Sequence, residues 1–391
     1  MKILQIIPLF SHSFGGAPEV VRNISRELAK THEVSVYTTT RCDPSTDFKP
    51  REELVDGYRV FRFKRNLKAG LIGDLNVSFD LMKAVQKNLK EFDVVHLHSW
   101  RQFEDYIICK YAPKNGVPYV LQVHGTLANV NKRAIKQLHE IFWGHKVLSH
   151  ASGVVAISPA ESNQFQNMGV PLEKIKVVYN GLDLEKYSKL PPNGSFRKQH
   201  KLNENVHIIL YLGRLDPTKG IDFIIASFAY LVKKKGFSNV ILAICGPDFG
   251  FLTRAYALVG QFGLSNNVLL CGALSEEDKI SAYVDADIVI YPERFNVWGL
   301  VVTEAAACGK PVIVSEGNFM AKVVNKGKFG FVVRYGAVEA LGNLLERSLH
   351  DKNDLQRRGL LGRQFVFENF SWRNSVQELE RVYSEMMSDR N

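Results

Sequence analysis

Short runs of β-branched and aliphatic residues alternate with helical patterns along almost the whole chain. That alternation restricts the fold to parallel strands with helices over both faces, because parallel strands need a long crossover between neighbours. The first round of candidate strands is Lys2–Ile7, Glu33–Thr38, Tyr58–Phe63, Val94–His98, Tyr119–Val123, Gly153–Ile157 and Ile175–Tyr179. Helical spacing of apolar residues predicts helices over Pro18–Lys30 and Phe79–Lys90. Pro191-Pro192-Asn193-Gly194-Ser195 then interrupts the pattern and reads as a linker. A second round follows near Val206–Leu212, Val240–Cys245, Val268–Cys271, Ile288–Tyr291, Pro311–Val314 and Phe331–Val333. The expectation is two Rossmann-like α/β domains, residues 1–186 and 203–370, joined by a linker at 187–202. Ligands of such sheets bind outside the carboxyl ends of the strands, so a cleft between the two domains is the expected site. A last helical pattern, Asn374 to Met387, places Val376, Leu379, Val382, Tyr383 and Met386 on one face.

Composition removes several classes. No apolar stretch approaches the roughly 20 residues of a membrane span. The opening run Ile3 to Phe10 is short, is broken by Pro8, and leads to Gly15-Gly16 rather than to a cleavage site, so it reads as a buried strand. Five scattered cysteines lack metal-ligand spacing and suit reduced thiols in a cytoplasmic protein. The net charge of +10 lies mostly in residues 1–200, which hold 28 Lys and Arg against 19 Asp and Glu. Clusters at Arg59, Arg62, Lys64, Arg65, Lys68 and at Lys132, Arg133, Lys136 fit either a solvated face or attraction to an anionic membrane surface. No motif for nucleic acid accompanies them.

The chemistry concentrates at strand ends. Gly213-Arg214-Leu215-Asp216-Pro217-Thr218-Lys219-Gly220 follows a strand and opens a helix, where free N–H groups and the helix dipole favour an anion. Arg214 and Lys219, five apart, would repel each other unless an anion lay between them. Gly299-Leu300-Val301-Val302-Thr303-Glu304 follows a second strand, and Glu304 is placed to accept hydrogen bonds from a ribose diol. Gly15-Gly16-Ala17 and His124-Gly125 stand at strand ends of the first domain; of His96 and His98, at least one must face inward as a structural residue. Asp285-Ala286-Asp287 reads as a helix-to-strand junction rather than a metal site.

In this order and spacing, these stretches resemble the retaining glycosyltransferases of family four, which have the GT-B fold. Asp93-Val94-Val95-His96-Leu97-His98, Ala156-Ile157-Ser158, Val178-Tyr179-Asn180-Gly181-Leu182-Asp183 and Cys245-Gly246-Pro247 extend the resemblance over nearly the whole chain. It implies transfer of a sugar from a nucleotide-diphosphate donor (UDP, GDP or ADP type) to a hydroxyl of a lipid-linked, polysaccharide or other glycan acceptor, without a cofactor or metal. It implies that Arg214 and Lys219 bind the diphosphate, with Gly15 and Gly16 and the helix start at Gly299, Leu300 and Val301. It further implies that Glu304 binds the ribose, that the backbone from Gly272 to Leu274 meets the base, that His124 contacts the sugar, and that residues 371–391 return to the first domain. Two departures stand out: Asn296 occupies the place of the usual glutamate eight residues before Glu304, and Asn318-Phe319-Met320-Ala321-Lys322 replaces a usual Gly-Gly-x-Pro-Glu. They leave open a catalytically silent nucleotide-sugar-binding subunit, and more remotely an epimerase of similar architecture.

Overall fold

The computed structural model describes residues 1–11, 16–41, 47–49, 51–66, 77–127, 143–293 and 298–388. Gly15, Asn296, Lys68 and the cluster Lys132, Arg133, Lys136 lie outside them. The chain forms two units, Met1–Gly181 with Trp372–Asn391, and Leu182–Ser371.

Unit 1 is built on β1 (Lys2–Ile6), β2 (Glu33–Thr39), β3 (Arg51–Val55), β4 (Tyr58–Phe63), β5 (Val94–Leu97), β6 (Tyr119–Gln122), β7 (Gly153–Ala156) and β8 (Ile175–Val177), in the order β3-β4-β2-β1-β5-β6-β7-β8. All pairs are parallel except β3 with β4. The central strands are buried end to end, as expected for a sheet covered on both faces. Alternate residues feed two cores: Leu4, Ile6, Val95, Leu97 and Leu121 on one face, and Ile3, Val36, Val94, Val120 and Val155 on the other. Helix Trp372–Ser388 packs on the second face through Val376, Leu379, Val382, Tyr383 and Met386.

Strand β3 escapes the sequence pattern. Its Leu54 is 74% exposed, and an edge strand that buries little needs no hydrophobic face. It is held by backbone pairing to β4 and by charge: Arg62 meets Glu53 at 2.8 Å and Arg59 meets Glu52 at 3.6 Å. Arg65 meets Asp47 at 2.8 Å. The basic cluster read at residues 59–65 is thus largely neutralised, with Arg62 and Arg65 buried.

Unit 2 carries β9 (His207–Leu212), β10 (Val240–Cys245), β11 (Val268–Gly272), β12 (Ile288–Tyr291), β13 (Val312–Ser315) and β14 (Gly330–Val333), all parallel, in the order β11-β10-β9-β12-β13-β14. Counted from β9 this is 3-2-1-4-5-6, the dinucleotide-fold order. The stretch 187–202, expected as a linker, is a packed part of this unit. Its helix Ser195–Gln199 buries Phe196, and the Asp285 carboxylate accepts from the backbone N–H of Gly194 (2.5 Å) and Arg197 (2.9 Å). Proline and glycine there mark turns, not freedom from contacts. Asp287 accepts from the N–H of Ile208 at 2.8 Å, so both acids of Asp285-Ala286-Asp287 brace the junction.

Candidate active site

Several residues singled out in the sequence follow the strands that flank the point where the strand order reverses: Arg214 and Lys219 after β9 and Glu304 after β12 in unit 2, and Gly16 after β1 and His98 after β5 in unit 1; His124 follows the next strand, β6, and Gly272 ends edge strand β11. At such a point neighbouring crossovers leave in opposite directions and open a crevice at the strands' carboxyl ends.

In unit 2 the ends of three neighbouring strands are laced together. Gly213 donates to the Cys245 carbonyl (3.0 Å), Leu215 to the Pro247 carbonyl (2.8 Å) and Gly246 to the Gly272 carbonyl (2.7 Å). A Cβ on Gly246 would lie 1.8 Å from the Gly213 oxygen, so only glycine allows β9 and β10 to end this close together. The Asp216 side chain accepts from the Thr218 N–H (2.8 Å) and hydroxyl (2.6 Å), which shapes the turn before Lys219 and holds the Asp216 carboxyl below its usual range. Arg214 is exposed, its guanidinium 5.0 Å from the Phe249 ring centre. Lys219 is not left unpaired, contrary to the expectation that only an anion would relieve its repulsion with Arg214: its ammonium meets Glu293 at 2.7 Å. Glu293 is buried at the end of β12.

Helix Leu300–Ala307 starts at Gly299, which packs so closely that a Cβ would lie 2.8 Å from Met320. Leu300 and Val301 form its first turn, where backbone N–H groups have no partner within the helix. Glu304, one turn in, is buried and does not cap its own helix. One carboxylate oxygen meets Lys279 at 3.1 Å and the other accepts from the Tyr283 hydroxyl at 2.8 Å. Burial pulls Lys279 down, but Glu304 and Glu276 outweigh it and its pKa lies above the ordinary value. Burial raises Tyr283 as well, so it stays a hydrogen-bond donor. A carboxylate offers about four acceptor positions, so Glu304 keeps capacity for a diol. Gly272 is exposed and Leu274 half-buried, just before helix Glu276–Asp285. The departure at 318–322 has a structural job: Asn318 caps helix Phe319–Gly327 and donates to the Glu293 carbonyl (3.0 Å), while Lys322 faces solvent.

In unit 1, Gly16 begins helix Ala17–Leu28 with φ 71°. His124 follows β6 in a left-handed conformation, φ 53°. The next residue is pinned by Glu161, whose carboxylate accepts from the backbone N–H of Gly125 (2.5 Å) and of Ile157 (2.8 Å). Arg101 holds the same loop through the carbonyls of Thr126 (2.9 Å) and Leu127 (3.2 Å). His96 and His98 are both buried. His98 Nδ1 lies 3.0 Å from His124 Nε2, its Nε2 lies 2.5 Å from Gln5 Oε1, and His96 Nδ1 lies 2.7 Å from the Tyr383 hydroxyl. Burial lowers His96 and His124 to about 3, and His98 well below its usual value.

Sequence reasoning missed Gln5, Glu161, Lys279, Tyr283 and the place of Tyr383. None has a local motif; a polar residue at a predicted core position, as Gln5 in β1 and Tyr383 on the apolar helix face, is the only signal the sequence offers.

Comparison with known proteins completes the description. Residues 193–364 match the profile of glycosyl transferases group 1, and residues 14–186 that of glycosyltransferase family 4. D-inositol 3-phosphate glycosyltransferase of Gordonia bronchialis is 27% identical over 310 residues, spanning 76% of this chain and 66% of the relative. The same enzyme of Acidothermus cellulolyticus is 26% identical over 411 residues, 96% of this chain and 87% of the relative. The crystal structure of Anabaena HepE in complex with UDP matches with a TM-score of 0.77 at 21% identity, over 98% of this chain and 100% of that one. These two parallel-sheet α/β units are the two domains of the GT-B fold.

Proposed function

Since the chain belongs to glycosyltransferase family 4 and is a glycosyltransferase, we propose that it moves a sugar from a nucleotide-diphosphate donor to a glycan or lipid-linked hydroxyl, with retention at the anomeric carbon and without a metal. The observation that carries the reading is the gathering of Arg214, Lys219, the Gly299 helix start and Glu304 at the switch point of a 3-2-1-4-5-6 sheet. The relatives named above are transferases, which favours an enzyme over a silent subunit.

Breaking the sugar–phosphate bond leaves negative charge on the diphosphate and positive character on the sugar. Arg214, Lys219 and the N–H groups of Leu300 and Val301 stabilise that negative charge in place of a metal. Gly16 lets backbone approach a phosphate. Entry of the diphosphate exchanges the Glu293 carboxylate on Lys219 for phosphate oxygens. Glu304 takes the ribose diol, the backbone from Gly272 to Leu274 the base, and His124 a sugar hydroxyl. As the bond from the anomeric carbon to the phosphate oxygen breaks, the acceptor oxygen bonds to that carbon on the same face, and its proton passes to the departing phosphate oxygen. Asn296, in place of a glutamate, offers hydrogen bonds to the sugar without a charge. UDP is the first donor nucleotide to try, given the UDP complex of HepE.

Replacing Arg214 and Lys219 together with Ala tests this directly. Each charge-assisted contact is worth about 1.5–3 kcal/mol, so transfer drops by roughly 10²-fold or more. Unchanged turnover with the full panel of UDP, GDP and ADP sugars sinks the assignment. Among the described residues no helix is long and apolar enough to cross a membrane. Binding at a cytoplasmic membrane face therefore rests on the basic surplus of residues 1–200, and salt-sensitive sedimentation with anionic liposomes is its test.

A further inference from the structure

The loops that leave β9 and β10 are pinned to each other around Arg214. Leu215, the next residue, donates to the Pro247 carbonyl at 2.8 Å and accepts from the Phe249 N–H at 2.9 Å. Asp248, between those two partners, turns a carboxylate oxygen onto the N–H groups of Gly250 (2.8 Å), Phe251 (3.0 Å) and Leu252 (3.1 Å). The backbone is therefore fixed on both sides of one side-chain contact: the Arg214 guanidinium carbon lies 5.0 Å from the centre of the Phe249 ring.

That ring is the partner Arg214 has. Its guanidinium makes no hydrogen bond and no ion pair among the described residues. The other cations of the site are paired, Lys219 with Glu293 and Lys279 with Glu304. The two acids beside it in the loops, Asp216 and Asp248, bond within their own turns and do not pair with Arg214. A guanidinium is planar and carries its five N–H donors around the edge, so a ring against its face holds it without using a donor. Phe249 itself is 51% exposed. A large ring left so far in water on a pinned loop is not there for core packing.

We propose that Phe249 is a positioning residue for the donor diphosphate: its ring takes one face of the Arg214 guanidinium and leaves the N–H edge for phosphate oxygens. This rests on the reading of Arg214 as a diphosphate residue, and extends it to a side chain with no polar group of its own. An arginine loose in solvent gives up rotamer freedom when it grips a ligand, and a ring that already holds it lowers that cost. Exposed cation–π contacts are modest, which sets the effect at roughly 3- to 5-fold in affinity. It is confined to ligands that carry the diphosphate; a nucleoside, which has none, is indifferent to the ring.

Calorimetry on the full chain with UDP, GDP and ADP finds the nucleotide it takes, and competition then compares that nucleotide with its nucleoside. Phe249→Leu is expected to weaken the nucleotide roughly 3- to 5-fold and to leave the nucleoside unchanged. Phe249→Tyr keeps a ring face and is expected to bind as the unaltered chain does. In an Arg214→Ala chain the loss from Phe249→Leu is expected to vanish, because the two residues act through one contact. Equal losses for nucleotide and nucleoside would put the ring against the base and overturn the proposal. So would losses that simply add in the double variant. If Arg214→Ala weakens the nucleotide and Phe249→Leu does not, the proposal fails while the diphosphate reading stands. If Arg214→Ala changes nothing, or none of the three nucleotides binds, both fail together.

Discussion

The two switch points occupy the same place in two related sheets and solve opposite electrostatic problems. Unit 2 assembles full charges and keeps them balanced at close range, Lys219 with Glu293 at 2.7 Å and Lys279 with Glu304 at 3.1 Å. Unit 1 assembles ionisable rings and keeps them uncharged by burial. The first arrangement suits a ligand that brings two negative charges and exchanges places with a carboxylate. The second suits neutral hydroxyls, for which a charged ring would be buried at a cost with nothing to offset it.

The largest expected effect breaks the backbone frame of unit 2. Gly246→Ala must move β9 away from β10, because the added carbon would lie 1.8 Å from a carbonyl oxygen at a φ of 146°. A loss of roughly 3 kcal/mol or more is expected, with nucleotide binding lost, by chemical denaturation and UDP calorimetry. The same change at exposed Gly260, a helical position with no positive φ where a Cβ meets nothing within 4 Å, should cost nothing and serves as the control. Unaltered stability at Gly246 would show that the laced strand ends are not what holds the site.

A second effect separates the units by pH. His96 and His124 are depressed from 6.5 to about 3, so their contribution is complete above pH 6.5 and is lost as pH falls through about 3. Glu104, fully buried with neither carboxyl oxygen partnered among the described residues, is raised from 4.5 to about 8 by burial. Its contribution is present below pH 4.5 and is lost as pH rises through about 8. Each group tilts stability by up to about 1.4 kcal/mol per pH unit inside its window. Raised Asp105, at about 6, acts in the same sense as Glu104. Unit 1 should therefore be most stable in mildly acid solution, and Glu104→Gln should flatten its alkaline limb alone. Hydrogen exchange followed by peptide mass, unit by unit, checks this. Parallel pH profiles in unit 1 peptides of the two proteins would contradict it.

How much of this was legible beforehand follows a physical division. Strands β1, β9, β10 and β12 are buried over most of their length, and their apolar runs were readable from residue order alone. So were the places of Arg214, Lys219 and His124 just after strand ends, because a glycine turn after such a run has a known position in the fold. Pairings between distant residues leave no periodic trace: Tyr383 reaches His96 across 287 residues, and Lys279 reaches Glu304 from a neighbouring helix. Edge strand β3 was invisible because backbone and ion pairs hold it rather than a hydrophobic face. Asn296 and Gly15 lie outside the described residues, and only the resemblance bears on them.

The smallest effect sharpens the charged half of the comparison. If Glu304 serves only to neutralise Lys279, Glu304→Gln disturbs stability and leaves nucleotide affinity alone. If it takes the ribose diol, the order is reversed. Lys279 keeps Glu276 at 2.9 Å, and the amide still accepts from Tyr283, so the fold loses less than about 1 kcal/mol. Removing the charge from a two-point contact with the diol weakens UDP binding roughly 10-fold. A deoxyribose donor nucleotide supplies the complement, because it cannot make the second contact and should lose far less on the same substitution. Equal losses for the ribose and deoxyribose nucleotides would assign Glu304 to the frame of unit 2 rather than to its ligand.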